Sequence, residues 1–173
     1  MLKISLISKI NFAIFMATVF VCSSAFAEGD HKISFMDPMW DGKKLPSGME
    51  CSRQSGQNPH TPKLKITNLP NGTSYLRMVI TDESYGGEGF HGIFRIKVPK
   101  GASEIVIPRI YEQAKKLPAG IELERGNGSP GGSQGHYLPP CSGGRNHNYY
   151  AEILPYNDSD EKLKENYIDF GRY

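Results

Sequence analysis

Five histidines are the side chains best suited to proton or anion chemistry: His31, His60, His91, His136 and His147. Imidazole is the group that changes charge near neutral pH, and it donates readily to a phosphate or carboxylate. His91 and His147 each stand where a predicted strand opens, and strand mouths commonly form pockets. The spacing of the histidines does not match a metal motif. The sequence holds no H-E-x-x-H, no C-x-x-C and no G-x-x-x-x-G-K-[ST]. Gly131-Gly132-Ser133-Gln134-Gly135 matches G-x-S-x-G, the nucleophile elbow of serine hydrolases. That elbow needs a strand before the serine and a helix after it. Ser129-Pro130 and His136-Tyr137-Leu138-Pro139-Pro140 supply neither. The expectation is no catalytic residue, no metal site and no cofactor.

The segment Gly126 to Gly135 contains five glycines and Pro130. Such a composition excludes a helix or a central strand. It leaves two readings open: a plain surface loop, or a nest of backbone N–H groups that approaches an anion.

The N-terminus explains where these residues work. Lys3 and Lys9 precede the apolar run Phe12 to Cys22, and Ala25-Phe26-Ala27 follows. A charged start, a short apolar core and an A-x-A end are the parts of a secretory signal. The run is shorter than the roughly 20 apolar residues that span a bilayer. Residues 1–27 therefore read as a signal peptide and 28–173 as one exported domain, periplasmic or secreted, without a stable membrane anchor. The whole chain has 20 Lys+Arg and 18 Asp+Glu. Removing the signal takes two lysines and no acid, which leaves a neutral chain. A neutral chain lacks the basic footprint of a nucleic-acid binder, so any anion must be held by a local site. Cys51 and Cys141 remain, and in an oxidising compartment they allow one disulfide.

The elements that must position these groups read mainly as strands. Lys63 to Ile66 and Gly92 to Val98 alternate charged and apolar residues. Ser74 to Thr81, Glu104 to Ile107 and Tyr149 to Leu154 are further strands, and Leu69 to Thr73 is a turn. Pro108 to Leu117 and Asp158 to Tyr167 read as one or two short peripheral helices, the second followed by a loose end. Trp40 is expected to plug the N-terminal region near Met36 and Pro38.

Four segments in order resemble the phosphatidylethanolamine-binding proteins, also called Raf kinase inhibitor-like proteins, in their bacterial branch. They are Ser55-Gly56-Gln57-Asn58 with Pro62 and Leu64; Leu69 to Tyr75; Thr81-Asp82 with His91; and Gly135 to Cys141 with Gly144, His147 and Tyr149. The last is similar to the family's Gly-Tyr-x-Gly-Pro-x-Pro-Pro-x-Gly-x-x-His-x-Tyr. The resemblance covers residues 33 to 155. It implies two packed antiparallel sheets and a small anion pocket built from Asp82, His91, Gly135, Pro139, His147 and Tyr149. The chain departs from the family at Asp82-Glu83-Ser84-Tyr85, where Asp-Pro-Asp-Ala is usual, and at Cys141-Ser142, where a Pro-Pro pair is usual.

The function this implies is a binding module for phosphate, a phosphoethanolamine headgroup or a carboxylate. His147 and Tyr149 are two apart on a strand and so face one side. An alternative is a secreted regulator or inhibitor of a protein such as a protease, with Tyr85 and Phe90 as contact candidates.

Overall fold

The computed structural model describes residues 30–54, 56–112, 114–128 and 137–173. The expected signal peptide, the Ser133 elbow, His136 and Gly135 lie outside them. Eight strands follow in chain order: β1 (Lys32–Phe35), β2 (Leu64–Thr67), β3 (Tyr75–Asp82), β4 (Ile93–Lys97), β5 (Glu104–Ile107), β6 (Ile121–Arg125), β7 (Asn148–Tyr156) and β8 (Asn166–Arg172). They form a three-stranded sheet, β1-β2-β5, and a five-stranded sheet, β6-β4-β3-β7-β8. Every pairing within them is antiparallel. The protein is mainly β, built from two antiparallel sheets.

Strand periodicity accounts for the layers. In β2, Leu64 and Ile66 are buried while Lys65 and Thr67 face outward. In β4, Phe94 and Ile96 are buried while Arg95 and Lys97 are exposed. Leu64, Ile66 and Ile107 of the small sheet join Leu76, Met78, Ile80, Phe94, Ile96, Ala151 and Ile153 of the large one in a single core. Each fully buried Leu or Ile contributes about 1.5–3 kcal/mol. On the outer face of the large sheet, Tyr75 and Tyr156 stack at 5.0 Å, and the Arg95 guanidinium lies 3.6 Å above the Tyr75 ring.

Among the described residues neither expected helix forms, and the only helical turn is the short 3-10 segment Ser52–Gln54. Between Pro108 and Pro118 the backbone finds partners elsewhere. Ile110 N–H donates to Thr61 Oγ1 at 3.0 Å, and Glu112 N–H donates to the Pro59 carbonyl at 3.0 Å. Burial of Ile110 holds the segment against residues 59–61. After Tyr156, the Asn157 side chain accepts Ser159 N–H at 2.9 Å and Glu161 N–H at 3.0 Å. Asp160 then takes a left-handed conformation, φ 58°, which stops a helix. Asn side chains that bond their own backbone compete with helix formation in this way.

The tail is not loose. β8 pairs with β7, and Phe170 is fully buried. Trp40 meets Phe170 edge-on at 5.6 Å and stacks on Phe35 at 6.3 Å. It joins the core between tail and N-terminal strand, whereas Met36, one of its expected neighbours, stays exposed. Gly171 makes this closure possible. Its φ is 109°, and a Cβ there would stand 2.7 Å from the Lys44 backbone.

Candidate functional site

The site follows from the direction of three strands. β3 finishes at Asp82, and β4 and β7 both run antiparallel to it. Their starting ends therefore lie beside its finishing end. His91 precedes β4, His147 precedes β7, and Tyr149 pairs directly with Asp82. His91 N–H donates to the Ile80 carbonyl at 3.1 Å, which fixes the histidine against β3. Register shifts occur between Ile93 and Phe94 and between Tyr149 and Tyr150. Bulges re-aim side chains next to sites, and both of these lie at the ends of β4 and β7 that carry the histidines. Asn146 adds a left-handed turn, φ 62°, immediately before His147.

These ends surround a cavity of about 280 Å3. That is small for a ligand pocket and suits a headgroup or a simple ion. Of the six expected site residues, Asp82, His91, His147 and Tyr149 line it together. Pro139 is buried nearby in sequence but is not part of the lining. Gly135 lies outside the described residues.

Asp82 and His147 form the fixed part of the site. His147 Nδ1 stands 2.7 Å from Asp82 Oδ2. The other Asp82 oxygen accepts Ser84 N–H at 2.8 Å. Asp82 is thus buried with both carboxylate oxygens engaged. Ser84, the unusual residue in the Asp-Glu-Ser-Tyr stretch, contributes its backbone rather than a second acid.

His91 is held differently. Its Nδ1 lies 2.7 Å from the Leu138 carbonyl oxygen. Burial holds its pKa below the ordinary histidine value, and nearby His147 adds to that, while the Leu138 bond and Asp82 oppose it. Rings continue outward in a chain of contacts. His91 meets Tyr149 edge-on at 5.2 Å and Phe90 edge-on at 5.5 Å, and Phe90 meets Tyr85 at 5.3 Å. Tyr85 is 63% exposed at the rim. Gly86, φ 82°, permits this packing, since a Cβ there would run into the Phe90 ring at 2.2 Å.

The Tyr149 hydroxyl is buried and has no hydrogen-bond partner. Ser142, the Cys141 backbone and Asp82 are its polar neighbours, but none meets hydrogen-bond geometry with it. Burial, the main cause, pushes its pKa up to about 12, so it remains a donor. A buried, unsatisfied hydroxyl costs about 1–3 kcal/mol.

Sequence reasoning missed Arg53 and Arg145, which also line the cavity. With Asp82 as the one carboxylate, two guanidinium groups leave the lining net positive even when both histidines are neutral. The disulfide brings Arg53 there. Cys51 and Cys141 are joined with their Cα atoms 5.3 Å apart. Cys141 forms part of the wall, and Arg53 Nη2 approaches its sulfur at 3.9 Å. Gln54 reinforces the join: its Nε2 donates to the Cys141 carbonyl at 2.9 Å and its Oε1 accepts Gly143 N–H at 2.9 Å. Their proximity to a paired cysteine and to His147 was the available signal.

The other described histidines lie elsewhere. His60 bonds the Thr61 carbonyl at 2.8 Å and meets Tyr111 edge-on. His31 is buried, with neither ring nitrogen partnered. Among the described residues no group of three potential metal ligands comes together, and no helix is long and apolar enough to cross a membrane. No protein-family model matches the chain, and no curated protein matches it either.

Proposed function

We propose that the protein is an exported binding module that holds a small anionic group in the cavity between Asp82, His91, His147 and Tyr149. The group is a phosphate, a phosphoethanolamine headgroup or a carboxylate. The buried, unpartnered hydroxyl of Tyr149 carries the reading. It meets no acceptor in hydrogen-bond geometry, and Tyr149 lines a cavity whose lining has excess positive charge. Arg53 and Arg145 supply further donors, and His147 supplies Nε2–H in its charged form. Hydrogen bonds to a charged group contribute about 1.5–3 kcal/mol each. Three or four, less the cost of association, correspond to a dissociation constant on the order of micromolar to millimolar. The resemblance of four segments to phosphatidylethanolamine-binding proteins supports the same reading. The disulfide fits an oxidising compartment outside the cytoplasm.

The test is thermal melting of residues 28–173 with and without phosphate and O-phosphoethanolamine, beside the His91→Ala/His147→Ala double variant. Ligand at 100 times its dissociation constant stabilises by about 2.7 kcal/mol, on the order of 5–10 °C here. The expected result is a shift in the wild type that the double variant loses. Absence of a shift with every anion tried would refute the proposal.

A second reading is a secreted regulator that docks on a protein such as a protease. The 63% exposure of Tyr85, beside Phe90 at the rim, favours it. A regulator acting through this rim would keep its inhibition in the double variant and lose it in Tyr85→Ala.

A further inference from the structure

We infer that the site selects an oxyanion that still carries a proton, and that Nε2 of His91 is the acceptor that selects it. The inference rests on the anion-binding reading above. It begins with the Leu138 carbonyl, 2.7 Å from His91 Nδ1. A carbonyl oxygen has no hydrogen to give, so Nδ1 carries it. In the neutral ring Nε2 is then a lone pair, an acceptor and not a donor. His91 is 2% exposed and lines the cavity.

The neighbours keep the ring neutral. Burial disfavours a charged imidazole. The guanidinium groups of Arg53 and Arg145 and the ring of His147 share the cavity and oppose a further positive charge. Only the Leu138 bond and Asp82 favour one, and the Asp82 oxygens are engaged by His147 and by Ser84 N–H. His147 differs in having a carboxylate on Nδ1 and a partly exposed side chain.

A fully ionised oxyanion has only acceptor oxygens. One of them facing His91 Nε2 would set lone pair against lone pair in a buried place, where an unmade hydrogen bond is costly. A phosphate monoester monoanion turns one hydroxyl to Nε2 and its remaining oxygens to Tyr149 and the guanidiniums. The ligand class is therefore a phosphate or phosphomonoester in its protonated form, in preference to a sulfate or sulfate ester.

Methyl phosphate and methyl sulfate isolate this difference. At about pH 5.5, below a phosphomonoester's second pKa of about 6, both are mainly tetrahedral monoanions, and only the phosphate bears a hydroxyl. Calorimetric titration of residues 28–173 should show methyl phosphate binding at least about tenfold tighter. The His91→Gln variant, whose amide can turn a donor to the cavity, should reduce the gap to about threefold or less. Nitrogen-15 spectra of the wild type need no variant: the unprotonated His91 Nε2 resonance should move with methyl phosphate and stay with methyl sulfate. Equal affinity for the two esters, or an equal effect on Nε2, would overturn the selection and leave anion binding standing. Binding of neither ester would overturn the anion site and this inference with it.

Discussion

Nδ1 of His147 and Oδ2 of Asp82 lie 2.7 Å apart, although 65 residues separate them in the chain. A carboxylate only accepts, so the contact puts a hydrogen on Nδ1 and orients the ring. The pair is a product of topology: β3 ends where β7 begins, and Tyr149 pairs with Asp82 in the register between them.

Replacing Asp82 by Asn should keep the fold and weaken phosphate binding. An amide can still accept Ser84 N–H, but it no longer holds His147 with a charge. Loss of an orienting partner of this kind costs about 10–100-fold in metal sites, and about tenfold is expected here. Calorimetric titration beside circular dichroism checks this; unchanged affinity in a folded Asp82→Asn protein would deny the pair its positioning role.

The disulfide should matter to both fold and site. The Cys51→Ser/Cys141→Ser variant should lose about 2–5 kcal/mol in urea unfolding. It should also bind phosphate more weakly, because Cys141 is in the wall and the Cys51 segment carries Arg53. A loss of stability with affinity intact would make the bridge a staple only.

The strand core was legible in the sequence because burial there follows simple alternation. Leu64 and Ile66, or Phe94 and Ile96, announce their faces in any reading of period two. β1, β6 and β8 were not. In β6 only Ile121 is buried, so no apolar pattern marks it. β8 was hidden by the charged stretch Asp158 to Glu165, whose turn chemistry only tertiary pairing reveals. In the site, Asp82, His91, His147 and Tyr149 were legible through the resemblance. Arg53 and Arg145 were not, because a disulfide and an irregular loop place them, and neither leaves a periodic trace.

Acid should destabilise the fold. Burial lowers the pKa of His91, His60 and His31 from the ordinary value of 6.5. The unfolded chain then binds more protons than the folded one below about pH 6.5. Stability is therefore full above that value and falls as pH drops through it toward the lowered folded-state values. Melting temperatures measured from pH 7.5 to pH 5 should decline, and less steeply in His60→Asn. A flat profile would contradict the burial of neutral imidazoles.

Phe170→Ala should cost about 3–5 kcal/mol, as for other buried aromatics. Trp40, the single tryptophan, packs edge-on against Phe170. Its emission should be blue-shifted in the wild type and move to longer wavelength in the variant. An unchanged spectrum and melting point would show that the tail does not close the core.

The central claim is tested most directly by Tyr149→Phe, with melting temperature and phosphate affinity measured on the same protein. The hydroxyl meets no hydrogen-bond partner in the protein, so its removal should leave the melting temperature unchanged or raise it, while phosphate binding weakens by about tenfold. A lower melting temperature with unchanged affinity would mean that the hydroxyl serves the fold, and that this cavity is not where an anion is held.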